Sequence, residues 1–149
     1  AIASAWRFFQ SLGREPVHIR IPARGHITNR LSAALFREAV HIVSEGIASV
    51  EDVDRAIVHG PGLRWATAGP FLNYHLGAGR GGLAAYLDHL GPAQEARWAD
   101  LGAPKLDDET KTLLVSEMNE TIGETDIADL ASQRAERLAA IRLALAGKG

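Results

Sequence analysis

Gly25-His26-Ile27-Thr28-Asn29-Arg30-Leu31 is the stretch on which the reading of this chain turns. From Ile27 onward the apolar residues fall at Ile27, Leu31, Leu35, Ala39, Ile42 and Val43, every third or fourth position. That spacing predicts an amphipathic helix of about five turns. Gly46 stops it, as a residue just past a helix end often does. Ahead of it, Val17-His18-Ile19-Arg20-Ile21 alternates as a strand does, and Pro22 and Gly25 break the alternation. A polar Asn29 in the first turn of the central helix, straight after a strand and a glycine turn, is placed to present an amide to a ligand.

Outward from that helix the chain reads as helices. Ile2, Ala5, Trp6, Phe9 and Leu12 form an apolar face on a first helix, and Gly13 and Pro16 bracket the turn that follows. A helix and one strand are an incomplete unit. Residues 1–21 are therefore expected to be the last helix and strand of a larger preceding domain, and residues 22–149 a helical domain of their own. The alternative is an N-terminal helix that packs on the same domain. After the central helix, Ser49 is the N-cap of a short helix, with Glu51 and Asp52 in the first turn where the helix dipole favours acids. Gly60-Pro61-Gly62 is expected to end it, Leu63–Ala68 to form a tight loop, and Gly69-Pro70 to start the next helix. Further helices are predicted over Leu83–Leu90, from Pro92 through Trp98, from about Asp107 to Ile122, and from about Asp126 to Ala146. Leu113, Leu114 and Met118 of the third, and Ile127, Leu130, Leu138, Ile141 and Leu145 of the last, are expected to face inward. The fold class is mainly α, a helical bundle with a helix-strand fragment at its front.

Composition narrows the function. The chain has 149 residues, enough for one domain with its own core, and 46% hydrophobic with 23% charged residues is ordinary globular material. A net charge of -2 gives no electrostatic case for nucleic acid or an anionic membrane surface. With no cysteine there are no disulfides and no thiolate metal sites, which fits a cytoplasmic protein. No apolar run approaches the roughly 18 residues that a membrane span needs.

Several motifs invite chemistry. Gly77-Ala78-Gly79-Arg80-Gly81-Gly82 has the spacing G-x-G-x-x-G, but a dinucleotide fingerprint needs a buried strand feeding the turn. Here Pro70–Leu76 feeds it, so the stretch reads as an interhelix turn and no cofactor is assigned to it. No two of the six histidines lie three or four residues apart, so the H-x-x-x-H zinc pair is missing and no metal is expected. His26, just ahead of Asn29, has no identifiable orienting partner nearby in sequence and reads first as a solvated or capping histidine. The short helix before Arg64-Trp65 resembles half of a helix-turn-helix, but Glu51, Asp52 and Asp54 would face phosphate badly. Arg134, Arg137 and Arg142, interleaved with acids, read as a solvated face. The Asn29 amide offers donors and an acceptor, so it suits bridging a substrate oxygen and a catalytic group; it equally suits satisfying loose backbone groups in a first turn.

Gly25-His26-Ile27-Thr28-Asn29-Arg30-Leu31, the later Glu38-Ala39, and Gly46–Asp54 resemble the start of the C-terminal domain of 3-hydroxyacyl-CoA dehydrogenases. Gly62–Ala66 with Gly69-Pro70-Phe71-Leu72-Asn73-Tyr74-His75-Leu76, and Gly81–Pro92 with Trp98, are similar to the branch that contains the L-carnitine dehydrogenases. The resemblance implies a helical domain of the 6-phosphogluconate dehydrogenase C-terminal type, which closes a small-molecule substrate pocket and forms a homodimer. It implies a parent in which an N-terminal Rossmann domain binds NAD and supplies a His–Glu pair, neither of them in this sequence. The substrate class would be a 3-hydroxy acid or an acyl-CoA thioester, as in fatty acid metabolism, and this chain alone would be inactive. Asn29 maps onto the family's active-site asparagine; Gly25, Ile27, Thr28 and Gly60 are inferred to line the substrate pocket. Where the family has proline and phenylalanine around the glycine, this chain has Arg24 and His26, which changes the pocket wall. The competing expectation is a free-standing helical protein-interaction module without catalysis.

Overall fold

The computed structural model describes Ile2–Gly147; Ala1 and Lys148–Gly149, which fall in the ranges assigned above, lie outside the described residues. The fold is mainly α. In chain order the helices are α1 (Ile2–Ser11), α2 (Thr28–Ser44), α3 (Val50–His59), α4 (Pro61–Thr67), α5 (Pro70–Gly77), α6 (Gly82–Asp100), α7 (Asp108–Ile122) and α8 (Ile127–Ala146), with a 3-10 turn at Gly79–Gly81. The chain divides into two compact units, one through Phe36 and one from Arg37, so that the division falls within α2.

In the first unit α1 ends in a double closure: Gly13 N–H donates to Gln10 O at 2.9 Å and Arg14 N–H to Phe9 O at 3.1 Å. Gly13 sits at φ +67, the left-handed conformation that this closure demands and that glycine adopts without strain. The apolar face read for α1 is uncovered, with Ile2, Phe9 and Leu12 all exposed. Residues 17–21, which alternate like a strand, form neither helix nor strand. A strand needs a neighbour to take its backbone N–H and C=O groups, and among the described residues none pairs with it.

In the second unit α2 ends as α1 does. Gly46 N–H bonds Val43 O at 3.0 Å, Ile47 N–H bonds Ile42 O at 2.9 Å, and Gly46 has φ +67. Among the described residues Val40 and Val43, on the inner stripe of α2, are the buried hydrophobic side chains, each contributing about 1.5–3 kcal/mol by leaving water. Helix α3 packs on α4 and α7, and α5 on α6, where the Tyr74 and Tyr86 rings lie 4.6 Å apart. Loss of water around Tyr86, and then the neighbouring Tyr74, push the Tyr86 phenol above its ordinary pKa.

Three readings are corrected here. Leu63–Ala68 is not a loop: Pro61 occupies the first turn of α4, where its missing N–H is no loss. Gly91-Pro92 does not break the chain into two helices, since α6 runs through Pro92. Proline removes one intrahelical bond, to Asp88 O, and a long helix carries that loss when the turns on either side are intact. The inward faces assigned to α7 and α8 are only partly covered. Leu114, Met118 and Leu130 are half-buried, whereas Ile127 is 79% exposed and Leu138, Ile141 and Leu145 are also exposed. Their stripe is apolar, but within the described residues it meets little beyond α4, where Leu63 and Ala66 face Ile141 and Leu145 across an open hollow.

Candidate functional site

The turn ahead of α2 is built by two successive left-handed residues, Gly25 at φ +76 and His26 at φ +51. His26 N–H closes the turn on Ala23 O at 3.0 Å, and Leu31 N–H then bonds Ile27 O at 3.1 Å to begin the helix. A non-glycine residue in this region is strained by about 1–2 kcal/mol, so the imidazole of His26 stands where the backbone alone would not favour it. At Gly25 a Cβ would meet Asn29 Cβ at 3.5 Å, ordinary contact, so the turn requires glycine for its φ rather than for space.

Asn29 lies one residue into α2, exposed, and among the described residues its amide makes no hydrogen bond to backbone or side chain. The capping role that its position also suits is therefore not the one it has here. Thr28 is exposed beside it. Ile27 and Leu31 face elsewhere: with about 100° of rotation per residue they lie roughly 160° around the helix from Asn29. They join His26, Arg30, residues 18–21 and Ala23 in lining an open groove of about 480 Å³. Gly25 and Asn29 are thus brought together, and Ile27 belongs to the groove. Gly60, in the other unit, joins α3 to α4, where a Cβ would overlap the Ala56 carbonyl oxygen, so glycine there is explained by the helix junction itself.

The second unit carries polar contacts that local sequence patterns do not announce. The Glu38 carboxylate accepts the N–H of Gly102 at 2.9 Å, one turn before His41, whose ring covers Gly102 so closely that any Cβ would overlap it. Glu117 on α7 accepts the N–H of Val50 at 2.7 Å, adding a carboxylate to the first turn of α3, where Ser49 Oγ accepts from Asp52 N–H at 3.1 Å. Asn73 in the Gly-Pro-Phe stretch donates its amide to Ala68 O at 2.7 Å and Gly69 O at 3.1 Å, and so ties the end of α4 to the start of α5. The glycine-rich turn does not fit a pyrophosphate. Helix α5 feeds it, the N–H of Leu83 is already donated to His75 Nδ1 at 3.1 Å, and the His75 ring lies against Gly82.

Charge is unevenly divided. Residues 1–36 hold five arginines against a single acid, Glu15, whereas residues 37–149 hold eleven basic against seventeen acidic side chains. Among the described residues no three His, Asp or Glu side chains gather as metal ligands, and no helix is long and apolar enough to cross a membrane.

A left-handed glycine turn that opens a long helix on a free asparagine, followed by helical hairpins closed with Gly-Pro, has a counterpart among known sequences. Residues 25–109 match the model of the 3-hydroxyacyl-CoA dehydrogenase C-terminal domain, and the chain belongs to that family. Its relatives include an L-carnitine dehydrogenase of Streptomyces coelicolor, 43% identical over 134 residues, covering 90% of this chain and 42% of the relative. Another, from Nocardiopsis dassonvillei, is 40% identical over 97% of this chain and 44% of its own length. A third, from Bacillus cereus, is 44% identical over 73% of this chain and 33% of its own. The chain thus spans less than half the length of these relatives.

Proposed function

We propose that this chain is the C-terminal part of an NAD-dependent dehydrogenase acting on a 3-hydroxy acid of the L-carnitine kind or on a 3-hydroxyacyl thioester. Residues 1–21, a helix and the extended segment after it, belong to its nucleotide-binding domain, and residues 22–149 close the substrate pocket and pair with a second copy. The observation that carries the reading is the match to L-carnitine dehydrogenases over nine-tenths of this chain. The uncovered apolar faces of α1 and α8 support a place for further protein against both. In the parent, NAD would supply the hydride acceptor for oxidation of the carbon bearing the alcohol.

In this reading Asn29 does the work that belongs to these residues. Its NH2 donates to the substrate oxygen as that oxygen becomes a carbonyl, and its Oδ1 accepts from the acid–base group of the other domain. Its free amide supports this, because no local bond would have to break. Gly25 keeps the turn open beside it, with Thr28 next to it on the same turn.

The test is Asn29→Ala in the full-length parent enzyme. Loss of one positioned donor lowers kcat about 100-fold, while the melting temperature stays within about 1–2 °C because the side chain is exposed and unbonded. An unchanged kcat removes Asn29 from the reaction.

A further inference from the structure

Two histidines of the α5–α6 hairpin hold hydrogen bonds of opposite sense through the same ring atom. Helix α6 begins at Gly82 with Gly81 as its N-cap, and a glycine has no side chain to accept the N–H groups of the first turn. His75, on the preceding helix, accepts one of them instead: Leu83 N–H donates to its Nδ1 at 3.1 Å. The imidazole also lies over Gly82, which is buried at φ +58 and leaves no room for a Cβ under the ring. On α6 itself, His89 Nδ1 stands 2.8 Å from the carbonyl oxygen of Ala85.

A carbonyl oxygen only accepts and a backbone N–H only donates, so the partners fix both tautomers. His75 is bare at Nδ1 and carries its hydrogen on Nε2, whereas His89 carries its hydrogen on Nδ1. A second proton therefore acts differently on the two rings. At His89 it enters at the free Nε2, and the bond to Ala85 O persists as a stronger, charge-assisted one. At His75 it takes the lone pair that Leu83 N–H uses, so the bond is lost and a cation is left at the positive end of the α6 dipole. The other ionisable groups on the elements around His75 are Arg64 on α4, Tyr74 on α5, Arg80 on the 3-10 turn, and Tyr86 and Asp88 in the first two turns of α6. Asp88 is the one carboxylate of that set, and among the described residues it forms no ion pair with His75 that would hold the protonated ring in place. We propose that His75 is an acid-released latch on the start of α6. Neutral, it caps the first turn and ties α5 to α6; protonated, it lets go of Leu83, while His89 keeps its bond through the same change. The latch uses only the α5–α6 hairpin and stands or falls apart from the dehydrogenase reading.

The experiment follows the isotope-labelled 149-residue chain by NMR, from about pH 8 to about pH 5, the range in which an imidazole changes charge. Ring nitrogen correlations at the upper end are expected to show His75 as the Nε2–H tautomer and His89 as the Nδ1–H tautomer. As the pH falls, the Leu83 amide signal moves in step with the His75 ring. Its protection against exchange, corrected for the intrinsic pH dependence of amides, drops about fivefold, as loss of one such bond implies. His75→Phe keeps a ring over Gly82 but has no acceptor, and gives Leu83 the low protection at every pH. His89→Gln leaves the Leu83 step unchanged. The latch is overturned if His75 is the Nδ1–H tautomer, if Leu83 protection stays constant while the His75 ring is protonated, or if His75→Phe retains the step.

Discussion

Gly102→Ala is the substitution whose cost the structure sets most directly. Gly102 is buried in the connection between α6 and α7, and a methyl group there would overlap the ring of His41. The ring cannot simply swing away, because His41 is itself half-buried on α2 beside the buried Val40 and Val43. Accommodating the methyl by displacing the ring is overpacking, at about 1–3 kcal/mol. Moving the loop instead breaks the 2.9 Å bond from Gly102 N–H to the Glu38 carboxylate, and a bond to a charged group contributes about 1.5–3 kcal/mol. By either route the loss is about 2 kcal/mol, a fall in Tm of roughly 4–8 °C for a chain of this length. The assay is thermal unfolding by far-UV circular dichroism of Gly102→Ala, His41→Ala and the double variant. Removing the ring makes room for the methyl, so the double variant is more stable than the sum of the single effects predicts, by about 1 kcal/mol or more. A Gly102→Ala melting temperature within about 1 °C of the original, or strictly additive changes, refutes the packing argument.

Glu117→Ala leaves the N–H of Val50 without its carboxylate at the start of α3 and lowers stability by about 1–2 kcal/mol in urea unfolding; Glu117→Gln recovers most of it, and equal losses for the two would contradict the capping role. The Asp107 carboxyl is held below its ordinary value, first by the backbone N–H of Thr110 and also by a further bond to that residue. A carboxyl whose folded pKa is lowered stabilises the fold above its unfolded pKa, about 3.9, and that contribution is lost as pH falls through the folded value. The first turn of α7 therefore loosens in acid, read as faster amide exchange at Thr110 and Lys111. Asp107→Asn, still an N-cap, removes that pH dependence, and an unchanged acid response in the variant would assign it to another group.

Much of the fold is legible in the sequence where one residue does one local job. Ser49 caps α3 and Gly46 closes α2 as their chemistry predicts, while Asp107 and Asp126, read as the first residues of α7 and α8, turn out to be their caps. Proline is legible only with its neighbours. Gly60-Pro61 starts a helix for the same reason as Gly69-Pro70, and reading it as a terminator hides α4, while Pro92 sits inside α6 against its usual meaning. Alternation at residues 17–21 shows which side chains share a face, but pairing requires a partner strand, which no local pattern supplies. Likewise the apolar stripe of α8 is plain in the sequence, and what covers it is not.

The site divides along the same line. Asn29 and Gly25 are close in sequence, and the turn that joins them is read correctly from glycine and helix period. Glu38, His41 and Gly102 meet across some sixty residues, and Val50 meets Glu117 across 67, so no periodicity points to either contact. The excess of positive charge in residues 1–36, five arginines against Glu15, disappears in a net charge of -2 and shows only when the chain is divided. His26 reads as an unremarkable surface histidine until its backbone is seen at φ +51.

Membership of the dehydrogenase C-terminal family makes one measurement decisive for the function. The full-length parent enzyme and the 149-residue chain are each given NAD with L-carnitine, and separately with a 3-hydroxyacyl-CoA, and NADH formation is followed by absorbance. The account predicts NADH from the parent with at least one of the two substrates and none from this chain alone. NADH formation by the isolated chain, or a folded parent that oxidises neither substrate, would contradict it.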